Sequence, residues 1–265
     1  MRIPPIAVGT LLAIALSSPA EARQRTEQVE WTIGQDRFSG VLVYDNEGER
    51  RPGLVMVPNW MGVTEASVEN AMRIAGDDYV VLVADVYGAD NRPKDSAEAG
   101  RISATLRNDP VLLRERALKA VEVLQAQAGK APVDAGRIGA LGFCFGGTTV
   151  LEMARSGADL AGVVSLHGGL TSPMPVAAGY AVKTPILVLN GAADRAVRNE
   201  DIVGFGKEMD AAGADWQFVN FSGAVHCFAE ASAGNDPASN CRYDERAARR
   251  AYVMLDGFFE ERFGD

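Results

Sequence analysis

The sequence predicts an α/β fold with a mostly parallel central sheet and helices on both faces. Three observations carry this. Short apolar runs recur at 54–57, 79–84, 137–143, 160–166 and 185–189, that at 79–84 rich in β-branched residues, as expected for strands buried on both faces. Segments of helical spacing separate most of them. The chain has 265 residues, of which 47% are hydrophobic, enough for one large domain with a sizeable core.

Each element has its own signal. Alternating polar and apolar residues at 29–33 and 38–44, divided by Gly34-Gln35-Asp36, predict a hairpin. The run at 54–57 ends before Pro58. Residues 63–75 have helical spacing, with Gly76 placed to close the helix. The stretch 90–108 is polar and punctuated, and reads as a long loop with some helix: a lid over a site, or a surface excursion. Asp109-Pro110 starts a helix strongly, with Asp as N-cap and Pro in the first turn; that helix runs to about 128. Helices are expected at 145–156, 199–212 and 242–262, and a last strand at 216–221.

The net charge is −9 and charged residues make up 23% of the chain. No Lys/Arg-rich run is present, so composition argues against nucleic acid as a partner. An acidic single domain is expected to be a monomer.

At the N-terminus, Arg2 precedes an apolar stretch at 6–16, and Ala20-Glu21-Ala22 offers small residues where a signal peptidase reads. The stretch is short for a bilayer span. Residues 1–22 are therefore expected to be a signal peptide, with the folded domain at 23–265, in the periplasm or secreted and without stable membrane association. An uncleaved anchor is the alternative. The three cysteines are Cys144, Cys227 and Cys241. In an oxidising compartment Cys227 and Cys241, close in sequence, are candidates for a local disulfide that leaves Cys144 free; three buried thiols are the alternative.

Gly142-Phe143-Cys144-Phe145-Gly146-Gly147 lies between a strand and a helix. The glycines remove Cβ atoms that would collide in a sharp reversal. The sulfur then sits at a helix N-terminus, whose positive end stabilises a thiolate. The backbone N–H of Phe145 faces a developing oxyanion. An inert buried cysteine in a glycine-rich turn is the bland alternative.

The chain has two histidines. His226 follows the last strand, at the carboxyl edge of the sheet. His167 ends an earlier strand and reads better as a packing or hydrogen-bonding residue. Asp194 follows the 185–189 strand, whereas Asp201 falls in a helix. The order Cys144, Asp194, His226 is that of nucleophile, acid and base in α/β-hydrolases. Two histidines far apart, without paired Cys or His spacing, do not form a zinc pattern.

Together with Pro58-Asn59-Trp60-Met61-Gly62-Val63 and Ala84-Asp85-Val86-Tyr87-Gly88, these residues resemble the dienelactone hydrolase family across the whole chain after the leader. The resemblance implies an α/β-hydrolase fold, hydrolysis of a small-molecule ester or lactone without a cofactor, a Cys144-Asp194-His226 triad, and an oxyanion hole from the N–H groups of Trp60 and Phe145. It also implies two departures. The family places a thiol-controlling glutamate at Asn59. Its better-known members place a carboxylate-binding arginine four residues after the histidine, where this chain has Glu230. A second such arginine would be Arg92, Arg101 or Arg107. Dienelactone itself is thereby disfavoured as substrate. Trp60, Tyr87 and Phe145 either line an acyl pocket or pack in the core. Glutaminase chemistry is set aside, since Thr148 and Phe228 stand where that pattern carries Gln and Glu. A non-catalytic binding protein on the same fold is the remaining alternative.

Overall fold

The computed structural model describes residues 24–264; the predicted signal peptide lies outside them. Eight strands form one sheet in the order β1-β2-β4-β3-β5-β6-β7-β8. They are β1 (Gln24–Ile33), β2 (Asp36–Asp45), β3 (Arg51–Val57), β4 (Val80–Val83), β5 (Val133–Phe143), β6 (Val163–Leu166), β7 (Ile186–Gly191) and β8 (Trp216–Phe221). Only the β1–β2 and β2–β4 pairings are antiparallel; β4 through β8 run parallel.

Helices cover both faces. One core layer joins the sheet to α3 (Pro110–Gln125), α4 (Phe145–Arg155) and α5 (Asn199–Ala211) through Leu113, Leu151 and Met209. The other joins it to α1 (Glu65–Ala75) and α6 (Glu245–Phe263) through Ala71, Leu255 and Phe259. The sheet is therefore double-sided, which is why β4, β6 and β7 are buried at every position. The edges differ. Both β1 and β8 keep exposed positions, because each has a neighbour on one side only.

The helix starts follow the sequence chemistry. Asp109 caps α3 by accepting the Leu112 N–H, with Pro110 in the first turn. Thr64 and Ser67 form a reciprocal capping box on α1. The 90–108 stretch is more regular than expected: α2 occupies Ser96–Asn108, capped by Asp95, which accepts the Glu98 N–H. Its buried residues are Ala99, Ser103 and Leu106.

Candidate active site

The loops leaving β3, β5, β6, β7 and β8 meet at the carboxyl edge of the sheet. The turn between β5 and α4 holds Cys144 at φ 52°, in the left-handed region that side chains rarely adopt. The crowding that forces this is measurable. A Cβ on Gly146 would stand 1.9 Å from the Val57 carbonyl oxygen, and one on Gly142 would stand 2.2 Å from the Gly146 backbone. The chain can turn this tightly against β3 only with glycine at both places.

A second close approach brings the loops after β7 and β8 together. The N–H groups of Ala192 and Ala193 donate to Phe221 and Ala224. A Cβ on Gly191 would meet the Ala224 carbonyl at 2.6 Å. The two loops therefore pack backbone to backbone, and Asp194 is carried to His226. The Nδ1 of His226 lies 2.7 Å from Oδ2 of Asp194, and its Nε2 lies 3.0 Å from Sγ of Cys144. Asp194 Oδ1 accepts from the Ala196 N–H at 2.8 Å and from Asn240 Nδ2 at 3.0 Å.

The electrostatics follow. Burial opposes a charge on His226, but hydrogen bonds and charge from Asp194 and Cys144 outweigh it and hold the imidazole at about 10. Burial likewise opposes the Asp194 carboxylate, yet its bonds to His226, Ala196 and Asn240 win and lower it.

His167 stands behind Cys144. It is fully buried, and burial together with the charge of His226 drives its pKa well below the usual histidine value. Its Nδ1 accepts the Cys144 N–H at 3.1 Å, a bond that this N–H shares with the Leu166 carbonyl at 3.0 Å. The ring is thus neutral with its proton on Nε2. That Nε2 has no hydrogen-bond partner; Glu230 Oε2 is 3.8 Å away, too far for a hydrogen bond.

Cys227 and Cys241 are joined in a disulfide with Cα atoms 4.9 Å apart, and Cys144 is a free thiol. His226 and Cys241 form an isolated parallel bridge, and the Arg242 N–H donates to the His226 carbonyl. The 239–242 segment therefore holds the backbone of His226 and, through Asn240, the carboxylate of Asp194.

A cavity of about 450 Å³ opens on Cys144 and His226, walled by Asn59, Trp60, Met61 and Glu230, with Ser232, Ala233 and the disulfide opposite. Trp60 is 37% exposed and forms part of the rim. Asn59 Oδ1 accepts the Met61 N–H at 2.9 Å, so its amide group points the other way, to Glu230 Oε1 at 2.6 Å.

Several expected substrate contacts are elsewhere. Tyr87 is buried and lies behind the wall: it stacks on Phe145 with centroids 5.4 Å apart, and its hydroxyl donates to the Trp60 carbonyl at 2.9 Å. Phe145 is equally buried. Arg92 is bound to the Ser39 carbonyl and lies 3.5 Å from Asp85, near the antiparallel edge of the sheet. Arg101 is exposed on α2 and lines no part of the cavity, nor does Arg107. Their positions depend on how α2 and the β4 loop dock, which local sequence does not encode. Glu230, by contrast, is a wall residue whose signal was its place four residues after His226. Among the described residues no cluster of three or more His, Cys, Asp or Glu could hold a metal ion.

The strand order, the strained cysteine turn and the loop positions define an α/β-hydrolase. Residues 38–263 match the model of the dienelactone hydrolase family, and the chain belongs to that family. As a member it is a hydrolase of the carboxylic ester class. Among solved structures it is similar to the dienelactone hydrolase-like promiscuous phosphotriesterase P91 from metagenomic libraries: 33% identity, TM-score 0.83, covering 91% of this chain and 99% of that one. A protein of Bradyrhizobium sp., described as a probable 2-oxo-3-(5-oxofuran-2-ylidene)propanoate lactonase, is 28% identical over 68% of this chain and 75% of its own length. Protein usf of Aquifex pyrophilus is 26% identical over 79% of this chain and 88% of its own.

Proposed function

We propose that this chain hydrolyses a small-molecule carboxylic ester or lactone through Cys144, His226 and Asp194, by way of a thioester. The observation that carries the reading is the continuous chain of contacts from Sγ to Nε2 at 3.0 Å and from Nδ1 to Oδ2 at 2.7 Å. Held at about 10 by Asp194 and Cys144, His226 carries the thiol proton before Sγ attacks the carbonyl carbon, and the carbonyl electron pair moves onto oxygen. The N–H groups of Trp60 and Phe145 receive that oxyanion. Collapse expels the alkoxide, which takes the proton from His226, and leaves a thioester on Cys144. Water then attacks, again giving its proton to His226, and thiol and acid are restored. Asp194 holds the imidazole in the tautomer that accepts at Nε2 and offsets its positive charge.

The test is a panel of p-nitrophenyl esters and small lactones against wild type, Cys144→Ala and Cys144→Ser. Loss of hydrolysis in a folded Cys144→Ala protein is expected; full activity there overturns the assignment. Alkylation of native Cys144 by iodoacetamide near neutral pH separates an enzyme from a binding protein that keeps the fold.

We also propose that the domain works after export to an oxidising compartment, with 1–22 removed. The disulfide at Cys227–Cys241 supports this, because such bonds persist there. N-terminal sequencing of protein recovered from the periplasm checks it: a start near Arg23 is expected, and an intact leader on folded protein overturns it.

A further inference from the structure

We propose that Glu230 is a specificity-determining residue that makes the cavity take uncharged ester or lactone substrates and reject those carrying a carboxylate within it. This rests on the hydrolase reading of the same site.

Five observations carry it. Glu230 lines the cavity beside Cys144 and His226, yet its side chain is only 5% exposed, so little water shields it. Its position is fixed from two sides: its N–H donates to the Cys227 carbonyl at 2.9 Å, and Oε1 accepts from Asn59 Nδ2 at 2.6 Å. Among the described residues, no lysine or arginine lines the cavity to balance it. The nearest ring nitrogen, His167 Nε2 at 3.8 Å, belongs to a histidine that burial holds neutral. The positive charge of His226 is paired with Asp194 at 2.7 Å and also acts on Glu230 itself.

An ion pair with a substrate is therefore unavailable to an anion and replaced by repulsion. A cavity of about 450 Å³ is roughly 10 Å across, so an anionic group inside it lies no further than that from the Glu230 carboxylate. Two like charges at that separation, at the effective dielectric of a protein surface, disfavour binding by roughly tenfold. The rest of the wall, with Trp60, Met61, Ala233 and the disulfide sulfurs, suits an apolar group. The hydrogen bond from Asn59 leaves the carboxylate in place when no substrate is bound, so the discrimination is built in before binding.

The experiment compares kcat/KM for substrate pairs that differ only in charge, at pH 8, where the Glu230 carboxyl, pushed up to about 7 by burial, is ionised. One pair places the charge on the acyl side: mono-p-nitrophenyl adipate against its methyl ester. The other places it on the leaving phenol: the hexanoate of 4-hydroxybenzoate against that of methyl 4-hydroxybenzoate. Wild type should favour the neutral member of at least one pair by tenfold or more, mainly through KM, and the gap should shrink with added salt. Glu230→Gln should narrow that gap at least threefold, whereas neutralising the remote, exposed Glu261 by Glu261→Gln should not. Equal rates within both pairs, an unchanged gap in Glu230→Gln, or the same narrowing in both variants overturns the proposal. Should Glu230→Gln not fold, the wild-type gaps and their salt dependence decide: no gap, or a gap insensitive to salt, overturns it. Activity persisting in Cys144→Ala would instead count against the nucleophile and leave the charge selectivity to be read from the same pairs.

Discussion

The backbone N–H of Cys144 donates to Nδ1 of His167 at 3.1 Å, so the second histidine of the chain braces the cysteine turn from behind. The same ring packs edge-on to His226, with centroids 5.1 Å apart, and to Phe228 at 5.4 Å. It is thus a buried strut between the two loops that present Sγ and Nε2. His167→Ala should remove a fully packed ring and one limb of a shared hydrogen bond, lowering stability by about 2–4 kcal/mol. Urea unfolding measures this, and a loss below ~1 kcal/mol would deny the bracing role.

Asp194 gains its orientation partly from Asn240, 46 residues away in sequence. Asn240→Ala leaves the Ala196 N–H in place, so kcat should fall about 3–10-fold with little change in KM. Asp194→Asn, which favours the wrong imidazole tautomer, should cost about 10²–10⁴-fold in kcat. Steady-state kinetics of both variants test the ranking; an Asn240 effect confined to KM contradicts it.

The disulfide closes a loop with a sequence separation of 14, which contains the Glu230 turn and the Asn240 contact. Its removal in a Cys227→Ser/Cys241→Ser variant should cost about 2–4 kcal/mol, chiefly by freeing the unfolded chain. Differential scanning calorimetry should show a lower Tm for this variant, and for wild type in dithiothreitol. A reductant effect on the double variant of equal size would place the sensitivity elsewhere.

Glu230 also makes stability depend on pH. Burial raises its carboxyl from 4.5 to about 7, against a hydrogen bond from Asn59 and the charge of His226, with the Tyr252 hydroxyl of α6 also within electrostatic range. The folded state therefore binds a proton between those values that the unfolded state has released. The contribution is most favourable below 4.5, declines as pH rises to about 7, and is flat above. The span corresponds to about 3 kcal/mol at most. Relative to wild type, Glu230→Gln should gain stability between pH 5 and 7.5. Asp194 acts in the opposite sense: its lowered pKa contributes stability above the ordinary carboxylate range that is lost as acid protonates it. Parallel melting curves of wild type and Glu230→Gln isolate the first effect; a constant difference in Tm across that range would refute it.

Much of the fold was legible because its causes are local. Asp109-Pro110 starts α3 since a side-chain acceptor and a missing N–H suit the first turn. Gly142 and Gly146 mark the cysteine turn because the backbone contacts they permit lie within a few residues, or against the adjacent β3. The order of Cys144, Asp194 and His226 could be read since each follows a strand, and parallel strands deliver their carboxyl ends to one edge.

By itself the sequence determined the alternation of strands and helices, the strained cysteine turn and a short choice of partners, because steric and capping rules act over a few residues. Only the tertiary structure decided that Tyr87 stands behind the wall, that Arg92 and Arg101 line no part of the cavity, and that His167 braces Cys144. It alone joined Asn59 to Glu230 across 171 residues. Those relations arise where loops from separate strands converge. Which side chain then meets which depends on strand order and helix docking, set by packing of the whole core.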